Sequence, residues 1–213
     1  MEQPKPRACW VTGQVGRYLA GLICIVGLIS CQAGGAANYN RYSEVNAELG
    51  SLAIRFDQEG YTSLESLPEA GASEYQGYLA FRLSNADDLV SDSIAGELTL
   101  VADFARSEFS VSGNGHGFVD DLGNELSGQV ELSAGSLDRE GDPAIDATVS
   151  FNAEGVLTDH LSQELELELL FEGDFFGVGP SGIGGNVAGL ATSTFGQHNI
   201  GGVFIAEMAA TSQ

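Results

Sequence analysis

Residues 164–175 read ELELELLFEGDF, an alternating pattern that indicates the fold class. One set of alternating side chains is apolar (Leu165, Leu167, Leu169, Phe171, Phe175) and the other is acidic (Glu166, Glu168, Glu172, Asp174). Leu and Glu are good helix formers, but a helix would scatter a period-two pattern around its surface. A strand places the two sets on opposite faces. The stretch therefore predicts a strand with one apolar and one acidic face.

The same alternation recurs along the rest of the chain. Further strands are predicted over 75–83, 95–104, 107–113, 126–134, 145–153, 186–194 and 200–207. Clusters of Gly, Asn and Asp separate them, as turns require. Eight sequential strands with one apolar face suit a sandwich or a closed barrel, and closure removes exposed sheet edges. We expect an all-β fold, an eight-stranded antiparallel up-and-down β-barrel, with its acidic faces in water.

The segment before the strands, residues 32–66, is interpreted as a flexible tether and N-terminal extension. It opens with small and polar residues, which are typical of linkers. A short alternating stretch over 51–56 places Leu52, Ile54 and Phe56 on one face. No long amphipathic helix is predicted.

The first 31 residues have the pattern of a secretory signal. Three basic residues (Lys5, Arg7, Arg17) accompany an apolar run over 18–30. That run is short for a bilayer span and suits the apolar region of a signal peptide. A plain transmembrane anchor and an ordinary secretory signal are the alternatives.

The apolar run ends in Leu28-Ile29-Ser30-Cys31, which resembles a bacterial lipobox. The resemblance implies that Cys31 receives lipid, becomes the new N-terminus and tethers the protein to a membrane. Gln32 stands where Asp retains many such lipoproteins in the inner membrane. The outer membrane or the cell surface is therefore the expected location.

Removal of the signal changes both the cysteine content and the charge. Cys9 and Cys24 leave with it, so no cysteine is left for a disulfide or a metal site. The mature part holds five arginines, no lysine and 29 acidic residues, a formal charge of −24. Such a surface repels nucleic acid and attracts cations or a basic protein, although it also serves simply to keep the protein soluble.

Four groups of motifs follow one another in the strand region. They are 67–77 (LPEAGASEYQG), 96–104 (GELTLVADF) with 111–113 (VSG), 173–177 (GDFFG) with 185–189 (GNVAG), and 195–204 (FGQHNIGGVF). In this order they resemble the β-barrel domain of the transferrin-binding protein B family, the bilobed surface lipoproteins of Gram-negative bacteria, and its single-barrel relatives. The resemblance places a barrel domain at 67–210. It implies surface location and ligand capture rather than catalysis, but not transferrin binding, because nothing corresponds to the second lobe or handle domains.

Candidate chemistry is sparse. All three histidines (His116, His160, His198) fall in predicted turns or loops, and His116 and His198 are the candidate ligand-binding residues for haem. Two acidic loops, Asp138-Glu140-Asp142-Asp146 and Asp120-Asp121-Asn124-Glu125, do not match a calcium-binding loop. No metal site, cofactor or catalytic residue is predicted, and the chain is not expected to be an enzyme.

Three functions remain open. The first is a monomeric, non-catalytic binding module that captures a host or environmental protein, or haem or another iron source, for nutrient uptake. It predicts an exposed aromatic or apolar patch at one barrel end. The second is a carrier with a small hydrophobic ligand in a cavity lined by Phe and Leu. The third is a structural envelope lipoprotein with a filled barrel.

Overall fold

The computed structural model describes residues 39–84, 91–105, 108–143 and 148–210. These residues form one α-helix, one 3₁₀ turn and eight strands. They are α1 (Tyr39–Glu59), η1 (Leu64–Ser66), β1 (Ala72–Ser84), β2 (Ser91–Asp103), β3 (Ser110–Asp120), β4 (Glu125–Leu137), β5 (Val149–Thr158), β6 (Glu164–Phe176), β7 (Gly182–Ser193) and β8 (Gly196–Met208). The signal, the lipid on Cys31 and residues 32–38 lie outside the described residues and stay predictions.

Every strand pairs antiparallel with the next, and β8 pairs with β1. The predicted eight-stranded antiparallel up-and-down barrel is therefore confirmed. In β6, which the sequence placed at 164–175, the predicted apolar set (Leu165, Leu167, Leu169, Phe171, Phe175) points inward and the glutamates point outward. The choice of strand over helix for this stretch is confirmed as well.

Strand ends were predicted less well where glycines lie inside a strand. β3 was expected to end at Gly113 but continues to Asp120, and β5 runs past the predicted end at 153 to Thr158. A Cβ on Gly113 would lie 2.1 Å from the backbone oxygen of Thr99, and one on Gly155 would lie 2.2 Å from that of Gln129. These glycines permit close approach between neighbouring strands, so they do not mark turns.

The interior of the barrel is filled by its own side chains. Phe151 stacks on Phe171 with ring centroids 4.7 Å apart, and Phe204 meets both rings edge-on at 5.5 and 5.1 Å. Further along the interior, Phe175 lies 5.4 Å from Phe104. These rings occupy the space in which a carried ligand would lie, so the packing gives the carrier hypothesis no support.

The helix α1 lies on the outside of the barrel, against β1, β2, β3 and β8. It occupies most of the segment interpreted as a flexible tether, and the expectation of no long helix is wrong. Its buried residues (Val45, Leu49, Leu52, Phe56) recur at intervals of three and four, whereas Ile54 is 61% exposed. A six-residue window over 51–56 was too short to distinguish this helical stripe from strand alternation.

The two ends of the barrel differ. One end is closed by residues 60–71 and the β6–β7 turn, where Thr62 Oγ1 donates to the Gly177 carbonyl oxygen (3.0 Å) and Tyr75 Oη to that of Pro180 (2.8 Å). The other end carries the β3–β4, β5–β6 and β7–β8 turns, and we call it the hairpin-tip end. Its fourth turn, 85–90, lies outside the described residues. Among the described helices, none has the length and apolar character of a membrane span.

Candidate functional site

Two turns at the hairpin-tip end are built in the same way. In the β3–β4 turn, Asp120 Oδ1 accepts hydrogen bonds from the backbone N–H groups of Leu122 (3.0 Å) and Asn124 (2.7 Å). In the β5–β6 turn, Asp159 Oδ1 accepts them from Leu161 and Gln163, both at 2.8 Å. Each turn thus reads Asp-x-Leu-x-Asn/Gln, and its aspartate fixes the backbone.

Both turns place their leucine in water. The residue after each leucine has a positive φ, 87° at Gly123 and 63° at Ser162, which completes the reversal of the chain. The side chain of Leu122 is 77% exposed and that of Leu161 is 64% exposed. A repeated turn geometry therefore presents a large apolar side chain at each tip.

The β7–β8 turn presents an aromatic residue by a related device. Ser193 Oγ accepts a hydrogen bond from the backbone N–H of Phe195 at 3.2 Å, and Gly196 has a φ of 127°. Phe195 is 77% exposed. In all three turns, a side chain holds the backbone N–H of the exposed apolar residue two positions later.

The three apolar side chains belong to one rim. The turns that carry Leu122, Leu161 and Phe195 are successive along the chain, and each is separated from the next by two strand spacings, roughly 10 Å. An exposed apolar patch at one barrel end was the feature expected of a binding module. At the closed end, Val178 is the corresponding exposed apolar residue of the β6–β7 turn.

The rim is acidic around these side chains. Its carboxylates belong to Asp92, Asp120, Asp121, Glu125, Asp159 and Glu164, and Arg82 lies near the same end of β1. Burial, followed by the negative charges of Asp92 and Asp120, raises the pKa of Asp121 above its ordinary value. Three other arginines bind elsewhere: Arg41 to Glu97, Arg55 to Glu207 and Arg139 to the Pro68 carbonyl oxygen.

The structure separates the candidate histidines. His116 lies in β3, not in a loop, and its Nδ1 is 3.7 Å from Glu97 Oε2 on the outer face. His198 lies in β8, also not in a loop, opposite the buried Ala191. Its Nε2 is 3.5 Å from Ser193 Oγ at the barrel mouth. The two rings therefore face opposite sides of the barrel wall and do not form one site.

The third histidine and the acidic loops complete the set of predicted residues. His160 does lie in a turn, between β5 and β6. Asp138 accepts hydrogen bonds from the backbone N–H groups of Glu140 and Gly141, and Asp120 is occupied in its own turn. Within the described ranges, no three His, Cys, Asp or Glu side chains are grouped as metal ligands would be. Asp146 lies outside those ranges.

Sequence reasoning missed the three tip residues. Leu122 and Leu161 are not among the predicted site residues, although each follows an aspartate by two positions. The signal that could have found them is this repeated Asp-x-Leu spacing between predicted strands. Phe195 is predicted only as the first residue of the 195–204 motif.

No family model matches the sequence, and no curated protein matches it. The chain is similar to solved structures of the vaccine antigen transferrin-binding protein B (TbpB) from Haemophilus parasuis Hp5, a single and a double mutant. These are 17% and 16% identical over 71% of this chain, each with a TM-score of 0.35. Intact Ap-TbpB, with its N and C lobes, is 14% identical over 70% of this chain, with a TM-score of 0.37.

This chain spans 28–29% of the length of those solved chains. They carry the name of the family that the sequence motifs resemble. At these values the likeness adds no argument, and the fold rests on the strand pairing described above.

Proposed function

We propose that this chain is a non-catalytic, lipid-anchored binding module of the bacterial surface that holds a protein partner at its hairpin-tip end. One observation carries the proposal. Leu122, Leu161 and Phe195 are exposed on successive turns of one rim. The backbone N–H of each donates a hydrogen bond to the side chain two positions earlier, which fixes the turn. The function thus lies in the turns, while the filled barrel serves as their support.

The physical reason is preorganisation. Binding costs free energy when a loop must be ordered, and a turn that is already fixed avoids much of that cost. A few apolar or aromatic anchors that enter pockets supply most of the energy of a protein interface. The three turns provide such anchors in fixed backbone positions.

Photo-crosslinking tests the proposal without a known partner. A photoreactive phenylalanine analogue would replace Phe195 in the full chain, expressed in the cells that carry it. Leu170, an exposed apolar residue on the outer face of β6, provides the matched control position. We expect an adduct of one defined mass from position 195 and none from position 170. Equal adducts at both positions, or none at 195, would contradict the proposal and favour a structural envelope protein.

The lipid anchor needs its own test. Cys31→Ser in the full chain should abolish labelling by a radioactive fatty acid and release the protein from the membrane fraction. The predicted signal and lipobox are the support for this part of the proposal. Labelling that persists in the variant would rule out Cys31 as the lipid site.

The finer form of the proposal is capture of haem, or of a protein that carries haem or iron, for nutrient uptake. His198 is the candidate ligand at the barrel mouth, and His116, on the outer wall, is its matched control. A haem titration followed by absorbance should show a saturable shift that His198→Ala weakens and His116→Ala does not. A flat titration would remove haem as the ligand and leave a protein partner as the remaining candidate.

A further inference from the structure

Resting on the proposed function, we infer that the partner surface is basic and contains apolar sockets for Leu122, Leu161 and Phe195. Two independent features meet at the hairpin-tip end. The exposed apolar side chains require sockets, and the carboxylates around them require positive charge on the partner. The inference names the partner by its chemistry, a cationic protein surface.

The apolar part follows from the spacing of the tips. Side chains on separate turns, with neighbouring turns roughly 10 Å apart, form three knobs and not one continuous face. Flat apolar surfaces would meet such knobs poorly. A protein surface with separate pockets, each the size of one leucine or phenylalanine, would bury all three.

The charged part follows from the rim. Asp121 lies directly before Leu122, and Glu125 and Glu164 begin the strands that leave the first two turns. The raised pKa of Asp121 reflects burial first and then repulsion by its acidic neighbours. A partner that placed Lys or Arg beside these carboxylates would relieve that repulsion, whereas an acidic partner would increase it.

The same charges disfavour two other occupants. A second copy of this chain would bring the acidic rim against a mature molecule with a formal charge of −24, from five arginines and 29 acidic residues. An anionic lipid surface would repel the rim for the same reason. A zwitterionic membrane would accept the knobs without relieving the charge, so it is included in the test.

The test is a calorimetric titration of the mature chain, from residue 31 onward, with synthetic peptides that form amphipathic helices. The peptides have about 18 residues, which is long enough to form a helix with one complete apolar face. The probe has leucines on one face, flanked by lysines, and the spaces between its leucines serve as the holes into which the tip side chains fit. A second peptide has serines in place of the lysines, and a third has glutamates. We expect the lysine-flanked peptide to bind at least about tenfold more tightly than the serine-flanked one.

Matched variants locate the binding. The tip variant combines Leu122→Ser, Leu161→Ser and Phe195→Ser, all on exposed residues. Its control combines Val156→Ser, Leu170→Ser and Leu190→Ser, which are part-exposed apolar residues on the outer strand faces. The tip variant should lose about tenfold in affinity for the lysine-flanked peptide, and the control should stay within about twofold.

Charge variants complete the design. The rim variant combines Asp121→Asn, Glu125→Gln and Glu164→Gln, which leave the turn-building Asp120 and Asp159 in place. Its control removes the same charge from the outer wall with Glu131→Gln, Glu154→Gln and Glu168→Gln. The rim variant should weaken binding more than the wall control does. Equal losses would show attraction by net charge alone and would overturn the inference.

The outcomes separate the inference from the proposed function. Equal binding of the serine-flanked and lysine-flanked peptides, both lost in the tip variant, would overturn the basic partner but keep a binding site at the tips. Phosphatidylcholine vesicles that bind the wild type and not the tip variant would replace the protein partner by a membrane. If the tip variant changes no binding and position 195 gives no crosslink, the proposed function itself fails.

Discussion

The outer face of the barrel is covered on one side and exposed on the other. On the outer faces of β8, β1 and β2, which we call the helix-covered wall, small and aliphatic residues (Ala80, Ala95, Val203, Ile205) are buried under α1. On the outer faces of β4, β5 and β6, which we call the acidic wall, glutamates point into water. The inner alternation is the same on both sides, so it specifies the barrel. The outer residues specify what each side meets.

The acidic wall places like charges side by side. Glu154 in β5 is directly opposite Glu131 in β4 and directly opposite Glu168 in β6. Like charges in directly opposed positions are destabilising in a sheet. The helix-covered wall has the reverse arrangement, because Arg41 and Arg55 of α1 pair with Glu97 and Glu207 of the strands. The helix α1 therefore stabilises the helix-covered wall, whereas the acidic wall faces water and is destabilised by repulsion between its carboxylates.

The largest expected effect comes from a substitution that disrupts the packing of α1 on the helix-covered wall. Phe56→Ala removes a buried ring that stacks on Phe176 (centroids 5.5 Å apart) and packs on Gly182. We expect it to lower the free energy of unfolding by about 3–5 kcal/mol in urea titrations. Ile54→Ala, two residues away on the exposed side of α1, should change it by less than about 0.5 kcal/mol. Equal losses would mean that α1 does not pack on this wall as described.

This pair also shows how far the sequence could be read. Alternation alone predicted the eight strands, because most of their length has only the inner face buried, which gives a period of two. The same reasoning misplaced Ile54, because α1 packs with period 3.6 and its partners are residues of distant strands. A sign of the helix was present in β8, where residues 203–206 are four consecutive buried apolar residues. Such a run marks a strand covered on both faces. The tip residues were missed because their exposure depends on turn hydrogen bonds, which composition does not reveal.

The second effect concerns a carboxylate that is not solvated like those of the acidic wall. Asp174 in β6 is partly buried and accepts hydrogen bonds from the backbone N–H (3.1 Å) and Oγ1 (3.0 Å) of Thr148. Burial raises the pKa of Asp174 to about 6, and the two hydrogen bonds only partly oppose it. Between about pH 4 and 6, Asp174 is therefore protonated in the folded chain but ionised in the unfolded chain. Because the folded state binds the proton more tightly, the free energy of unfolding falls as the pH rises through that window.

Asp174→Asn should remove this dependence and keep an acceptor for Thr148. Solvent screens this partly exposed carboxylate, so the effect is smaller than the pKa shift alone would give. We expect the free energy of unfolding of the variant, relative to that of the wild type, to rise by about 1 kcal/mol between pH 4 and pH 7. Urea titrations at both pH values measure it. Glu172→Gln, on an exposed position of the same strand, is the control and should not alter the pH dependence. Parallel pH profiles of wild type and Asp174→Asn would refute the assignment.

The third effect weakens the attachment of the helix without emptying its core. Arg55→Met keeps an aliphatic side chain on α1 but removes the ion pairs to Glu207 and Glu59. These pairs are exposed, so the loss should be about 0.2–1 kcal/mol at low salt and smaller at high salt. A double-mutant cycle with Glu207→Gln isolates the pair. A coupling energy of zero at low salt would show that the Arg55–Glu207 pair does not help to hold α1 on the barrel.

The smallest effect has the opposite sign and belongs to the acidic wall. Glu154→Gln removes the middle charge of the Glu131–Glu154–Glu168 row, so it should raise the free energy of unfolding by a few tenths of a kcal/mol, about 1 at most. Added salt should erase the gain, because exposed charges are screened over roughly 10 Å at 0.1 M. Glu74→Gln, whose cross-strand partner is Val101, should show neither the gain nor its salt dependence. A loss of stability in Glu154→Gln would mean that the row meets positive charge, and the contrast between the two walls would then disappear.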